Sequence, residues 1–430
     1  MQETAQKNAK NPTHKKALIA STFGTSLENY DFYLYGTAAA LYFNKIFFSE
    51  TNATVATLSS FLIFAMAFLT RPLGAMLFGY IGDTKGRAVT TRYTLTLMGL
   101  STAAIGLLPG YSQVGILAPI LLVLLRCIQG ISMGGEWGGS ILLSTEYSSS
   151  KKKDFHASIP QLGSPIGVLA STFIFMIMEI FLNDQQMLAW GWRIPFLLAL
   201  PFTLVSVYIR TQLHETNEFM EAQKELGNSK IKVSELFKNH TIPFIQAILI
   251  GILPIGSYFL ISTYTMNYGT TTLGLPEQSL LVAGFIGSLL QLITIPTFGY
   301  YSSKYSSKAV MIAGAVSTAI VAIPMYLLMR EATLSTMIAC MLIGGIFPTL
   351  CWATLGGMLY NKFDVKIRFT AINVAYSIAA IISGFIPAIT TMVGSATHQA
   401  WWHPAIVLIL ISLMTLAGSL DWKKKEAKTT

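Results

Sequence analysis

The stretch from Arg126 to Glu146, RCIQGISMGGEWGGSILLSTE, contains the residues with the clearest potential for chemistry. It continues an apolar run, so Arg126 and Glu136 lie within what would otherwise be an uninterrupted hydrophobic helix. Ionisable groups at such depth are costly and usually functional. At about 100° per residue, Arg126, Gln129 and Glu136 fall on one side of that helix. We therefore expect a polar stripe that faces a solvated cavity, with a structural ion pair between packed helices as the alternative.

Two further carboxylates lie in an earlier apolar run, SLENYDFYLYG. Glu28 and Asp31 are three residues apart and therefore share one face of a helix. Carboxylates this close to each other, or to Arg126, alter each other's proton affinity. We expect Asp31, Glu28 or Glu136 to carry a proton, and Asp31 is the first candidate. The alternative is that these carboxylates only join helices through backbone or tyrosine hydroxyl groups.

The composition places these residues in a protein that crosses a membrane several times. Of the 430 residues, 53% are hydrophobic and 11% are charged, whereas a soluble domain has about 25% charged residues. The net charge of +9 could indicate a nucleic-acid partner, but the basic residues lie at the termini and in alternate short loops. The charge therefore reflects membrane topology, and no nucleic-acid partner is expected. The three cysteines lie in apolar runs without metal-ligand or redox spacing.

Windows of about 20 apolar residues, the length that crosses the hydrocarbon core, occur twelve times. The expected fold is therefore all-α, with twelve transmembrane helices. Their approximate spans are 17–44, 53–80, 90–110, 115–147, 155–182, 190–210, 241–267, 277–300, 309–329, 333–360, 366–393 and 401–421.

The basic residues also predict the orientation of these helices. The loops on one side contain only Lys45, Arg193 and Arg330 of the 29 Lys and Arg residues. Because Lys and Arg accumulate in cytoplasmic loops, both termini are expected in the cytoplasm. The expected parts of the chain are a cytoplasmic tail (1–16), a six-helix bundle (17–210), a cytoplasmic central loop (211–240), a second six-helix bundle (241–421) and a short tail (422–430).

The two halves of the chain resemble each other at an offset of about 210 residues. AWGWRIPFLL from Ala189 matches AWWHPAIVLI from Ala400, and Gly134-Gly135 matches Gly344-Gly345. Two parallel six-helix repeats are expected from this similarity. In that architecture a substrate binds near the midplane between the halves, and access alternates as one half rocks against the other.

ATP-driven transport is not expected. The loop GYIGDTKGRAVTTR from Gly79 contains Asp-Thr-Lys-Gly, but a pump with a phosphorylated aspartate needs a large nucleotide-binding domain. No polar segment of this sequence is longer than the 211–240 loop, and no G-x-x-x-x-G-K-[ST] phosphate-binding loop occurs.

Five motifs, in order along nearly the whole chain, carry a resemblance to a known family. They are ENYDFYLYG, RPLGAMLFGYIGD with the G-x-x-G-D-x-x-G-R loop at Gly79 to Arg87, RCIQGISMGGE, GWRIPF and RTQLHETNEF. Together they resemble the major facilitator superfamily, and within it the metabolite:proton symporter family of α-ketoglutarate, citrate, shikimate and proline/betaine permeases. The resemblance implies that the helix 1 and helix 4 motifs, with Glu28, Asp31, Arg126, Gln129 and Glu136, face the substrate cavity.

The resemblance also implies a gate at the cytoplasmic end, in the loop between helices 2 and 3. Glu146, at the end of helix 4, would be its charged partner when the cavity faces outward. The gating residues implied in this way are Gly79, Gly82, Asp83, Gly86, Arg87 and Glu146. The equivalent loop of the second half, GYYSSKYSSK from Gly299, has serine in place of the acidic residue. That copy of the gate is therefore expected to be degenerate.

The second half has no acidic residue within a predicted span, so its side of the cavity is expected to use neutral polar groups. The substrate-binding candidates there are Tyr264, Gln291, Trp352, Asn373 and Tyr376. Aromatic residues in membrane helices also pack or anchor interfaces, which is the alternative for the tyrosines and the tryptophan.

The sequence thus predicts a secondary transporter of the inner membrane that imports a small carboxylate-bearing metabolite with a proton and functions as a monomer in the bilayer. Arg126 would bind the substrate carboxylate. No cofactor is expected, since the proton gradient supplies the driving force. A proton-independent exchanger or uniporter, or a nutrient sensor that does not transport, are the alternatives. An enzyme is not expected, because no span contains a metal cluster or a nucleophile and base at catalytic spacing.

Overall fold

The computed structural model describes residues 12–48, 53–148, 152–213, 215, 220–221 and 240–422. Most of the expected N-terminal tail, central loop and C-terminal tail lies outside the described residues. Twelve long helical segments, α1 to α12, account for most of the described chain. In order they are α1 (Pro12–Ala38, then a π turn at Ala39–Phe43 and a last turn at Asn44–Phe47), α2 (Ala53–Lys85), α3 (Arg87–Gly106), α4 (Leu117–Glu146), α5 (Lys153–Ser158, a 3-10 turn at Ile159–Leu162, and Gly163–Phe181), α6 (Arg193–Thr211), α7 (Thr241–Tyr258, a π turn at Phe259–Tyr264, and Thr265–Thr271), α8 (Glu277–Tyr305), α9 (Ser307–Met329), α10 (Leu334–Tyr360), α11 (Arg368–Gly384, then Ile386–Ala396) and α12 (His403–Ser419).

Nine of these segments in the described chain, α2 and α4 to α11, are long and apolar enough to cross a membrane. The other three fall short for physical reasons. α1 and α3 bury serine, threonine and charged side chains inside the first bundle, and α12 has only 17 residues. The all-α fold of twelve helices that the sequence predicts is confirmed.

The helices form two bundles, α1 to α6 and α7 to α12. Within the first bundle α4 packs along α2 at two glycines, Gly130 and Gly134. A Cβ atom on Gly130 or Gly134 would collide with the α2 backbone at Ala67 or Arg71. Glycine at these two positions therefore allows the two helices to approach closely.

The start of α1 packs against Leu213, just after α6, and it lies at the same end of the molecule as the end of α12; we call this the terminal end. Gln246, in the first turns of α7, donates a hydrogen bond of 2.7 Å to the carbonyl of Leu420, just after α12. Because helix direction alternates, the α2–α3, α4–α5, α8–α9 and α10–α11 loops also lie there. The terminal end thus carries the loops in which the sequence predicts a gate.

Two helices that face the other bundle are irregular near its surface. α5 contains a 3-10 turn at Ile159–Leu162, which includes Pro160. α7 contains Pro254 and then a π turn at Phe259–Tyr264. Proline removes a helical hydrogen bond, and π turns inside α-helices are frequent at functional sites. These interruptions re-aim the side chains that line the space between the bundles.

Candidate functional site

A cavity of about 130 Å³ lies between the two bundles. Its wall comes from α1, α2, α4 and α5 on one side and from α7, α8, α10 and α11 on the other. Toward the terminal end its floor is formed by the rings of Trp137 and Tyr376, which stack with centroids 4.0 Å apart. In the opposite direction Phe259 contacts Phe32 and Phe68 from the other bundle, at centroid distances of 6.3 and 5.9 Å. Aromatic rings from both bundles therefore enclose the cavity above and below.

One ion pair lies at the cavity wall. Arg71 Nη2 and Glu28 Oε1 are 2.5 Å apart, and the two side chains are 7% and 6% exposed. Among the described residues these are the charged side chains of the wall. The Arg71 guanidinium also lies 4.8 Å from the Tyr376 ring centroid, on the cavity floor. The second carboxylate oxygen of Glu28, Oε2, is buried and accepts no hydrogen bond from a described residue.

Arg126 and Asp31 lie inside the first bundle and not at the cavity wall. Arg126 Nη1 is 3.6 Å from Asp31 Oδ2 and donates to Gln129 Oε1 at 2.9 Å, and its guanidinium lies 3.9 Å from the Tyr35 ring centroid. Asp31 Oδ1 accepts from Thr102 at 2.5 Å and from Gln129 at 2.6 Å. This corrects the expected orientation of the α4 stripe. The stripe faces the interior of its own bundle, where the buried charges neutralise each other.

Glu136 also lies inside the first bundle. Its carboxylate accepts hydrogen bonds from Arg210 at 2.5 and 3.3 Å, from Thr94 at 3.0 Å and from Ser140 at 2.9 Å. Arg210 was not among the expected site residues, although it begins the motif RTQLHETNEF. A Cβ atom on Gly24 would collide with the Arg210 guanidinium, so this glycine makes room for the pair. Because four donors fill the acceptor positions of this carboxylate, its geometry is that of a helix-joining ion pair.

Three of the neutral candidates in the second half lie at the cavity wall. Gln291 reaches it from α8, Trp352 from α10 and Tyr376 from α11. Tyr258, on α7, is also part of the wall and contacts Tyr33 of the first bundle, with ring centroids 5.4 Å apart. The second half therefore contributes hydroxyl, amide and indole groups, as expected for a half without buried acids.

The other two neutral candidates lie away from the wall. The Tyr264 hydroxyl is bonded to Nε2 of His403 inside the second bundle. Asn373 lies below the aromatic floor, where its Oδ1 accepts from the backbone N–H of Gly138 at 3.0 Å. Tyr264 thus packs within its bundle, and Asn373 joins the two bundles.

The α2–α3 loop contacts the start of α11 in the other bundle. Asp83 accepts hydrogen bonds from the backbone N–H groups of Phe369 at 3.2 Å and Thr370 at 2.9 Å, and from the Thr370 hydroxyl at 2.6 Å. The first N–H groups of a helix have no partner in the helix, so Asp83 satisfies two of them. A Cβ atom on Gly79 or Gly82 would lie 2.9 Å from Thr370 or Phe369. Both glycines thus allow the bundles to meet.

Charged residues close the same end. Arg87 pairs with Glu146, and its Nη2 donates to the carbonyl of Val365 in the other bundle at 3.0 Å. Arg368 of α11 lies 3.7 Å from the same Glu146 carboxylate. The predicted partnership of Arg87 with Glu146 is therefore present in the geometry, and the terminal end is closed.

Glu215 was not among the expected site residues, although it belongs to the motif RTQLHETNEF. Its carboxylate accepts from the backbone N–H groups of Arg87 at 2.9 Å, Ala88 at 3.0 Å and Val89 at 3.4 Å. It thus caps the start of α3. Gly86 has a φ of 112°, and a Cβ atom there would collide with Glu215, so glycine is required on both counts.

Comparisons with known proteins agree with this architecture. Residues 16–230 match the family model described as "Sugar (and other) transporter". The shikimate transporter of Escherichia coli is 33% identical over 408 residues, which cover 93% of each chain. The chain belongs to the major facilitator superfamily. The proline/betaine transporter of Salmonella typhimurium is 29% identical over 422 residues, or 95% of this chain and 83% of that protein. The solved structure of the proton:xylose symporter XylE bound to 6-bromo-6-deoxy-D-glucose has a TM-score of 0.73 at 17% identity, covering 95% and 94% of the two chains.

This member of the superfamily is thus a multi-pass membrane transporter, and its relatives are transporters of metabolites rather than enzymes. The structural similarity supports the fold, with two six-helix bundles around a central cavity.

Proposed function

We propose that this transporter imports a small carboxylate-bearing metabolite together with a proton, by alternating access. The observation that carries the proposal is the ion pair of Arg71 and Glu28 at the wall of the cavity between the bundles. A guanidinium group forms strong, often bidentate bonds with a carboxylate, and such bonds strengthen where water is excluded. Arg71 is therefore the proposed partner of the substrate, in place of Arg126, whose charge is compensated inside the first bundle.

The pair also gives a physical cause for coupling. While Glu28 is ionised, it occupies Arg71 at 2.5 Å and competes with the substrate carboxylate. When Glu28 takes up a proton, the attraction is lost and Arg71 is free to bind substrate. A cavity that holds both a proton and a monocarboxylate has the same net charge as the empty cavity, whereas a zwitterion with a proton adds one positive charge. The rocking step therefore favours the fully loaded and the empty transporter, which is the condition for symport.

Of the three carboxylates proposed to carry the proton, Glu28 is the best supported candidate. Glu28 belongs to the cavity wall, and its Oε2 atom is buried without a described hydrogen-bond donor. Asp31 is held by Thr102 and Gln129, and Glu136 by four donors, and neither is at the wall. A proton on Glu136 would have to break a network in which both carboxylate oxygens accept hydrogen bonds, which is costly. Asp31 has one oxygen, Oδ2, without a hydrogen-bond donor among the described residues, but that oxygen lies 3.6 Å from Arg126 and away from the cavity wall.

The charge of the wall favours a substrate with one carboxylate. With Glu28 protonated, Arg71 is the single charge among the described wall residues, and Gln291 and Trp352 contribute neutral groups. A monocarboxylate or a zwitterion fits this arrangement, whereas a citrate-like trianion would leave two carboxylates without cationic partners. Two of the relatives are named as transporters of shikimate and of proline/betaine, and each of these compounds carries one carboxylate.

The terminal end is proposed to face the cytoplasm of a cell with an inner membrane, with both termini there and the protein acting as a monomer. The basic loops support this orientation. In that orientation the contacts of Asp83, Arg87 and Glu146 close the cytoplasmic gate in this conformation.

The proposal is tested with purified protein in proteoliposomes, by recording external pH while pulsing shikimate, proline, betaine, α-ketoglutarate and citrate. Symport predicts alkalinisation of the medium with at least one monocarboxylate or zwitterion, and loss of that signal in Arg71→Ala. Lys45→Ala removes an exposed cation far from the cavity and is the matched control, which should behave as wild type. Uptake of a compound without a proton signal would reassign the protein to exchange or facilitated diffusion.

A further inference from the structure

We propose that Ser303, in the α8–α9 loop, is a second gating residue and the counterpart of Asp83. The loop GYIGDTKG at 79–86 aligns without gaps with GYYSSKYS at 299–306, which places Ser303 opposite Asp83. The helix starts that the two loops touch also correspond, because DFHAS at 154–158 and RFTAI at 368–372 begin α5 and α11 at equivalent points of the repeat. The sequence alone marks the second loop as degenerate, since its acidic residue is missing.

The two contacts have the same geometry. The Ser303 hydroxyl oxygen accepts a hydrogen bond of 2.7 Å from the backbone N–H of Phe155, in the first turn of α5. Asp83 accepts from the backbone N–H of Phe369, in the first turn of α11, at 3.2 Å. In each case a loop of one bundle provides an acceptor for a helix start of the other bundle, where N–H groups have no partner in the helix. The contacts are related by the two-fold pseudosymmetry of the halves.

The glycines before these residues support the equivalence. A Cβ atom on Gly299 would collide with the Ser158 hydroxyl of α5. A Cβ atom on Gly79 would lie 2.9 Å from Thr370 of α11. Both loops therefore approach the opposite bundle closely through a glycine four residues before the acceptor. The second loop retains the close approach and one hydrogen bond to the opposite helix start, without the charge and the two further hydrogen bonds of Asp83.

The loss of charge sets the strength of the second contact. Asp83 is an ionised acceptor with three donors, whereas Ser303 is a neutral acceptor with one described donor. Hydrogen bonds to charged groups are about twice as strong as neutral ones. Of the two loop contacts at the terminal end, the one at Asp83 is therefore the stronger and the one at Ser303 the weaker. This inference rests on the proposed alternating-access cycle, but it concerns a conformational equilibrium that needs neither substrate nor a proton gradient.

The test measures the distance between spin labels attached through Gln113→Cys and Glu331→Cys, which replace exposed residues in the α3–α4 and α9–α10 loops at the opposite end. Opening of the terminal end brings these labels together as the bundles rock. Ser303→Ala removes one neutral hydrogen bond, so the ratio of short-distance to long-distance populations should rise about fivefold. Ser303→Thr keeps the hydroxyl and should restore the wild-type ratio.

Ser303→Asp should shift the populations the other way, toward the closed terminal end. The introduced carboxylate would lie near one residue of each charge. Lys153, close to Phe155, donates a hydrogen bond to Tyr360, and Asp154 accepts one from Asn361 at 3.4 Å. Thr297→Ala is the matched control, because the exposed Thr297 hydroxyl donates to the carbonyl of Ile293 in its own helix.

The inference is overturned if Ser303→Ala and Thr297→Ala give the same distance distribution, or if Ser303→Asp raises the short-distance population. If Ser303→Ala does not elute as a monodisperse protein, the shift in Ser303→Asp decides the question. Silence of the wild-type protein in the transport assay would count against the proposed substrate class and coupling, and it would leave the label distances unaffected.

Discussion

Replacing Glu136 by glutamine is expected to destabilise the first bundle without removing proton coupling. The Glu136 carboxylate accepts two hydrogen bonds from Arg210 and one each from Thr94 and Ser140, and all four side chains are buried. Glutamine keeps one acceptor oxygen and adds an NH₂ group that points at existing donors. The Arg210 charge is then left without a counterion inside the bundle.

The cost follows from that stranded charge. Breaking a buried ion pair by removing one partner costs about 3–5 kcal/mol, most of it the penalty of the uncompensated charge. Because glutamine is nearly isosteric and retains one acceptor, we expect about 3 kcal/mol for Glu136→Gln. Adding Arg210→Met removes the stranded charge, so the double variant is expected to be more stable than Glu136→Gln alone. This order of stabilities is expected for an ion pair whose role is to stabilise the bundle.

The assay combines thermal unfolding of the purified variants, followed by size-exclusion fluorescence, with uptake per folded molecule in proteoliposomes. The expected result is a lowered unfolding temperature in Glu136→Gln, partial recovery in the double variant, and accumulation that still responds to a pH gradient. A Glu136→Gln protein with wild-type stability and no pH-driven accumulation would refute the reasoning. That result would assign the role of proton carrier to Glu136, which is one of the three candidates from the sequence.

Two further predictions concern the terminal end. Asp83→Asn keeps one acceptor for the start of α11 but removes the negative charge. The hydrogen bonds to α11 are then expected to weaken by about 1–2 kcal/mol in total. The ratio of open to closed terminal ends should therefore rise about tenfold, as measured by the same distances between spin labels. Asp421→Asn should leave the unfolding temperature unchanged at neutral and acidic pH. Lys308, 2.6 Å away, lowers the pKa of Asp421. Any stabilisation of the folded protein by this pair is therefore present above the usual aspartate pKa, and it is lost as the pH falls through the lowered pKa of Asp421. Solvent screens this exposed pair, and a pH-dependent difference between the proteins would show that the contact is stronger than its exposure implies.

The sequence was sufficient to predict the helices, because apolar runs of membrane-spanning length specify them. The family resemblance implied a gate in the α2–α3 loop, and the structure shows that Gly79 and Gly82 of this loop lie close to α11. Helix periodicity also placed Arg126, Gln129 and Glu136 on one face of α4. These features depend on local spacing, which a single sequence displays directly.

The direction in which that α4 face points could not be read from spacing. Whether Arg126 faces a cavity or its own bundle depends on where Asp31 and Thr102 lie in space, and these residues come from α1 and α3. Similarly, the spacing of residues does not pair Arg71 of α2 with Glu28 of α1, which the structure brings together across the two helices. The hydrogen bond of Ser303 to the start of α5 could not be predicted from the sequence, because serine, unlike aspartate, carries no charge that marks it as a contact residue.

The proton assignment of Glu28 is tested most directly by Glu28→Gln, with Asp31→Asn as the comparison, in proteoliposomes loaded with a transported substrate. The neutral amide resembles the protonated carboxyl and frees Arg71 permanently. We therefore predict that Glu28→Gln exchanges substrate across the membrane at a rate independent of pH but cannot accumulate it in response to a pH gradient, whereas Asp31→Asn does both. Wild-type accumulation by Glu28→Gln, together with its loss in Asp31→Asn, would contradict the account.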